Sequence, residues 1–210
     1  MRSMSQRGTR ETGLVEVHIR TRRGEYGPAV LGLRGQHQAH NAAVAVLALE
    51  ACGERDVAAP REAIVRGLTE ARWPARLDLV DLGTRSLLVD GAHNASGARA
   101  LADCLRVMYP EGLPLVFGVM ADKALLPMLT RAFTDGRGRS SSRRRPDGVP
   151  RILTRLRRSR RALADPPEVI VERDVSRALE LAWQRGNVAA VAGSLYLAGD
   201  VLARIGRAPE

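Results

Sequence analysis

The order of apolar and polar positions divides the chain into two stretches with different periods. Leu14-Val15-Glu16-Val17-His18-Ile19 alternates like a half-buried strand, residues 22–24 read as a turn, and 26–33 can return as a second strand. Residues 1–13 read as a polar, irregular lead. From 36 to 52 an Ala-rich run, apolar almost all round, predicts a largely buried helix. A second helix is expected over 57–70, stopped by Trp73-Pro74. Beyond Pro74 short apolar strands alternate with helices. Strands are expected at 77–80, 86–90, 115–119, 152–154, 169–171 and 188–192. Helices are expected at 96–108, 124–133 and 175–184, with a last one starting near Ser194. That alternation implies an α/β fold, a Rossmann-like, mostly parallel sheet covered on both faces. The opening piece has too few strands for a sheet of its own and reads as the tail of another domain. The expected division is 1–73 and 74–210.

In a sheet of this kind ligands sit at the carboxyl ends of strands, so the polar residues there carry the chemistry. Asp90-Gly91-Ala92-His93-Asn94 follows the apolar run Leu87-Leu88-Val89 and opens a helix. It offers a carboxylate, an imidazole and backbone donors together, suited to a ribose hydroxyl, a phosphate or an incoming anion. The plainer reading is that Asp90 caps the turn and Asn94 the helix. Gly193-Ser194 repeats the theme, with Ser194 as helix cap or part of an anion nest. Arg76 can clamp a phosphate with its planar fork or close an interdomain salt bridge. His37 and His40 are a metal pair or a satisfied cap, and Asn41 has an amide able to donate and accept to a base. Lys123 begins a helix after a buried strand, as a ligand or as an ordinary solvated lysine.

Composition narrows the class without changing the architecture. The chain has 210 residues, 45% hydrophobic and 27% charged, as in folded soluble proteins. Two cysteines exclude a disulfide scaffold and a thiolate zinc site. No run approaches 18 apolar residues, so no membrane span is expected and the cytoplasm is the expected location. The net charge of +10 is local: residues 137–161 hold 11 arginines against Asp147, and the rest of the chain balances. Residues 136–147 read as a solvated Arg-rich insertion with weak, non-specific, salt-dependent affinity for polyanions.

Five stretches in order carry a family resemblance. They are Leu33-Arg34-Gly35-Gln36-His37-Gln38 with Asn41-Ala42, Trp73-Pro74-Ala75-Arg76-Leu77-Asp78, and Asp90-Gly91-Ala92-His93-Asn94. Gly118-Val119-Met120-Ala121-Asp122-Lys123 and Gly193-Ser194-Leu195-Tyr196-Leu197-Ala198-Gly199-Asp200 complete the set. Together they resemble the folylpolyglutamate synthase/dihydrofolate synthase family, a branch of the Mur-type ATP-dependent ligases. The resemblance implies the tail of the central ATPase domain over 1–73 and the C-terminal glutamate-ligase domain over 74–210. It implies a reaction in which ATP with Mg²⁺ phosphorylates the carboxylate of dihydropteroate or folate, and the amine of L-glutamate attacks the acyl phosphate. By resemblance Asn41 reads adenine, Arg76 reaches the phosphates and Asp90 lies near the ribose. His93 bridges nucleotide and glutamate, and Ser194 lines the glutamate pocket. Arg76 and His93 are the implied catalytic residues.

The departures are specific. The family's Gly-Thr-x-Gly-Lys-Gly-Ser loop is absent from the sequence, and the Mg²⁺ ligands and modified lysine of the central domain have no counterpart. Ala75-Arg76-Leu77-Asp78 stands where Gly-Arg-Leu-Glu is usual, and Ala95 where proline is usual. Where a compact Thr-Arg…Pro-Arg-Ala stretch is usual, the chain reads Thr154-Arg155-Leu156-Arg157-Arg158-Ser159-Arg160-Arg161-Ala162, preceded by the Arg-rich insertion. The expectation is a truncated or split ligase, inactive without a separately encoded N-terminal half. The alternatives are a non-enzymatic module whose Arg-rich loop contacts nucleic acid or protein, and a decayed ligase.

Overall fold

A computed structural model describes residues 3–8, 12–53, 59–118, 153–155, 169–170 and 172–207. The chain divides into two compact units, Met1–Trp73 and Pro74–Glu210. The helix expected at 124–133, the motif residues 119–123 including Lys123, and the insertion at 136–147 lie outside the described residues.

The first unit is a three-stranded antiparallel sheet, β1 (Ser3–Gly8), β2 (Val15–Arg20) and β3 (Glu25–Val30), in that order, with helices α1 (His37–Gly53) and α2 (Arg61–Glu70). Alternation in β2 sends Val15, Val17 and Ile19 into a core shared with Tyr26, Ala29, Leu31, Ala39, Ala42, Ala43, Val46 and Ile64. Three expectations fail here. The opening piece, read as having too few strands for a sheet of its own, forms one, because the lead pairs with β2 beside β3. The polar lead is a strand, because register with β2, Met4 opposite Ile19, supplies the pairing that its composition does not advertise. Helix α1 is buried on one face only: Val44 is 52% exposed, and Leu47 and Leu49 are exposed with it. A single sheet face can cover only one stripe of a helix, and the small Ala39, Ala42 and Ala43 form that stripe.

A polar knot ties the β2–β3 turn to α1. Glu50 Oε1 accepts from the hydroxyls of Thr21 and Tyr26, the latter at 2.9 Å, and Arg23 donates to the Glu50 carbonyl at 2.6 Å. Burial, followed by the hydrogen bond to Glu50 and its charge, raises the Tyr26 pKa above its ordinary value of 10.0.

The second unit is a six-stranded sheet of order β4-β5-β9-β6-β7-β8. Its strands are β4 (Asp78–Asp81), β5 (Ser86–Val89), β6 (Pro114–Phe117), β7 (Leu153–Arg155), β8 (Val169–Ile170) and β9 (Val188–Ala192). The α/β class stands, with a parallel centre: β9 pairs parallel with β5 and β6. The flanks are antiparallel, β4 on β5 and β6-β7-β8 in succession. The β4–β5 connection explains one flank, since Leu82 N–H to Arg85 O at 2.9 Å closes a hairpin with Gly83 at φ 84°. Helix α3 (Ala95–Met108) packs on one face against Leu88, Leu115 and Phe117. Helices α4 (Val175–Trp183) and α5 (Leu195–Arg204) pack on the other against Leu87, Val89 and Val191. Residues entirely covered on both faces of β5 and β9 explain their unbroken apolar runs.

Replacing Glu50 by Ala removes the acceptor of the buried Tyr26 hydroxyl and leaves Thr21 only the Gly24 carbonyl at 3.3 Å, and is expected to cost about 1–3 kcal/mol, read as a lowered urea midpoint. Because the Tyr26 value is raised on folding, the parent's stability should hold below pH 10 and fall as pH climbs through the folded-state value. Tyr26→Phe should flatten that alkaline fall in urea midpoints measured against pH.

Candidate functional site

Parallel pairing brings the carboxyl ends of β5, β9 and β6 side by side, at Asp90, Gly193 and Gly118. Ladder bonds run one residue further at each: Asp90 N–H to Val191 O at 2.9 Å and Gly118 N–H to Ala192 O at 3.0 Å. Gly193 has φ 108°, and a Cβ there would sit 2.5 Å from the Gly118 carbonyl oxygen. Both the backbone conformation and the space demand glycine.

From β5 the chain turns into α3. Asn94 Oδ1 accepts from Gly97 N–H at 2.9 Å, so Asn94 is the helix cap. His93 is half-buried, and its Nδ1 lies 2.9 Å from the Gly91 carbonyl. A carbonyl only accepts, so Nδ1 carries the proton and the imidazole lone pair is on Nε2. Ser194 is buried and caps α5, accepting from Tyr196 N–H at 3.2 Å, while its hydroxyl can still donate its own proton. The capping readings for Asn94 and Ser194 therefore hold, and Ser194 remains at the strand end where a ligand is expected.

Asp90 does more than cap the turn. Its Oδ1 accepts from Ala92 N–H at 2.8 Å and its Oδ2 from Leu77 N–H at 2.9 Å. Gly91 N–H donates to Ala75 O at 2.7 Å. The segment leading into β4 is thereby fastened to the loop leaving β5, as the antiparallel β4 requires, since its start lies beside the end of β5. Ala75 and Leu77 have φ of 56° and 49°, left-handed values costing roughly 1–2 kcal/mol each in residues with a Cβ. Arg76 sits between them, exposed. Gly91 does not have a left-handed φ, and a Cβ there would meet closely only Leu195 Cδ2, the movable end of an exposed side chain, with the Ala75 carbonyl at 3.4 Å, so the position demands glycine less strictly than Gly193.

Thus the structure gathers Arg76, Asp90, His93 and Ser194 around one edge of the second sheet. Asn41 belongs to the first unit, where it donates to Gln38 Oε1 at 2.9 Å on the wall of a cavity of about 400 Å³. The cavity is otherwise apolar, lined by Leu31, Leu33, Ile64 and Leu68 among others. Gln38 is buried and donates in turn to His37 Nε2 at 3.1 Å, while His40 is exposed. Among the described residues no group of three or more His, Cys, Asp or Glu is placed to hold a metal ion, and no Mg²⁺ set is found there. The fastening of Leu77 and Ala75 was not anticipated. Its partners are far apart in sequence, 13 residues for Asp90 and Leu77, and neither Ala nor Leu advertises a left-handed bend.

No family model matches the chain. Its relatives are nevertheless consistent. It is 28% identical over 178 residues to dihydrofolate synthase/folylpolyglutamate synthase of Bacillus subtilis, covering 82% of this chain and 40% of that protein. Mycobacterium tuberculosis folylpolyglutamate synthase complexed with ADP superposes with a TM-score of 0.70 at 20% identity, over 98% of this chain and 48% of that one. A folylpolyglutamate synthase in complex with AMPPCP and folate gives 0.69 at 22% identity, over 97% and 45%. The chain is thus similar to the folylpolyglutamate synthase/dihydrofolate synthase family in sequence and in fold. It spans about two-fifths of the length of the B. subtilis relative, and the partial coverage fits a C-terminal part of the family's chain.

Two substitutions rank the backbone demands of this candidate site. Gly193→Ala should cost more than about 2 kcal/mol, from left-handed strain plus a carbonyl in contact. Asn94→Ala should cost about 1 kcal/mol, the worth of a cap. Chemical denaturation of both variants checks the order.

Proposed function

We propose that this chain supplies the glutamate-ligating part of an ATP-dependent folate–glutamate ligase, acting on dihydropteroate or folate and L-glutamate. The observation carrying the reading is the convergence of Arg76, Asp90, His93 and Ser194 on the edge formed by the ends of β5 and β9. Ligands of open α/β sheets bind there. Relatives named for the activity, and one solved with AMPPCP and folate, support the same class. The division into 1–73 as the end of a central ATP-binding domain and 74–210 as the ligase domain belongs to this proposal.

The chemistry assigns each residue a task. A carboxylate resists attack by an amine until phosphorylation by ATP gives it a leaving group, and the acyl phosphate then yields the amide and phosphate. Arg76, planar and permanently charged, is suited to draw negative charge from the phosphates as it develops. His93, held by Gly91 through Nδ1, presents a basic Nε2 that can take a proton from the glutamate ammonium or amine. Ser194 can donate its hydroxyl to a glutamate carboxylate at the start of α5, where the helix dipole also favours an anion. Asn41 retains its amide oxygen and one N–H for the edge of an adenine. Mg²⁺ would neutralise phosphate charge, on ligands proposed to come from the part of the ligase that carries the Gly-rich loop. The sequence contains no Gly-rich phosphate loop, so the 210 residues are proposed to be inactive by themselves. The binding-module alternative depends on the Arg-rich insertion, outside the described residues, and gains no support.

The purified chain should show negligible folate- and glutamate-dependent ATP hydrolysis, and enzyme-like turnover by it alone would overturn the divided-ligase reading. ATP at ten times its dissociation constant should stabilise the chain by about 1.4 kcal/mol, a melting shift of roughly 3–6 °C. Arg76→Ala should abolish most of that shift. An ATP-induced shift equal in parent and variant would remove Arg76 from the site.

A further inference from the structure

We propose that Asp90 is a positioning residue for Arg76, acting as the clasp that holds the Ala75–Leu77 backbone in its bent form. The role is distinct from a contact with the nucleotide ribose. Asp90 is anchored from behind by its own N–H on Val191, so its place is set by the buried ladder between β5 and β9. From that fixed point Oδ2 takes the N–H of Leu77 and Oδ1 that of Ala92, and the next residue, Gly91, takes hold of the Ala75 carbonyl. The two bonds reaching the incoming chain fall on the residues either side of Arg76, and among the described residues those two are the non-glycine ones with left-handed φ. Left-handed alanine and leucine relax to extended backbone when nothing restrains them. The restraint is a charge-assisted hydrogen bond at one and a backbone hydrogen bond at the other. Leu77 is itself fully buried, so its side chain fixes one end of the bend while Arg76 projects from it, exposed. Releasing Leu77 N–H therefore loosens the segment at the one exposed charged side chain it carries, without removing a core residue.

The proposal rests on the ligase reading only where it concerns what Arg76 binds. The clasp itself is tested on the 210-residue chain by limited trypsin digestion under native conditions, with cleavage after each arginine quantified by mass spectrometry. Asp90→Ala should raise the rate after Arg76 about tenfold or more, and leave cleavage after Arg106 in α3 and Arg204 in α5 unchanged. No change after Arg76, or an equal rise at all three sites, would overturn the clasp. Where Asp90→Ala does not fold, Asp90→Asn serves, because it keeps an oxygen for one of the two N–H groups, and a site-selective rise after Arg76 is again expected. The positioning role is read from ATP affinity in a double-mutant cycle. Arg76→Ala should weaken ATP binding in the parent and have little further effect in Asp90→Asn. Additive losses would show that Asp90 does not act through Arg76. Should Arg76→Ala leave ATP affinity unaltered in the parent, the ligase role of Arg76 falls and the digestion alone decides the clasp.

Discussion

The direction of one edge strand determines where the chemistry of the second unit collects. Parallel pairing of β5, β9 and β6 sends three strand ends to one edge, but Arg76 precedes a strand rather than following one. It reaches that edge because β4 runs antiparallel to β5, Asp78 opposite Val89, so that the start of β4 meets the end of β5. A parallel β4 would carry Arg76 to the far side of the sheet, a strand length from His93. The hairpin bond between Leu82 and Arg85 thus shapes this edge as much as the candidate residues on it do.

Much of this architecture was legible in residue order. Complete burial on both faces makes β9 an apolar run bounded by Asn187 and Gly193, and the α3 face of Ala98, Leu101, Ala102 and Leu105 shows in its spacing. Asn94 and Ser194 read as caps because capping is a local matter between a side chain and the next helical turn. What escaped is non-local. The strand Ser3–Gly8 has no apolar alternation and exists through its pairing with β2. The exposure of Val44 and Leu47 follows from how much sheet is available to α1, which no property of α1 records.

The site shows the same division. Asp90 and His93 were legible as candidates because they stand together after a buried strand. The bond from Asp90 to Leu77 was not, and neither was the bend at Ala75, since both depend on a chain segment brought alongside by the hairpin.

The antiparallel flanks also set a ceiling on how this edge can diversify. Only the connections leaving β5, β6 and β9 emerge there from the parallel centre, and each flank reverses direction at once. Beyond the centre only every second strand points the same way, as β8 does two strands out from β6. New specificity is therefore reached most directly by lengthening or recolouring the central connections, and the one leaving β9 begins at a glycine with no room for a side chain.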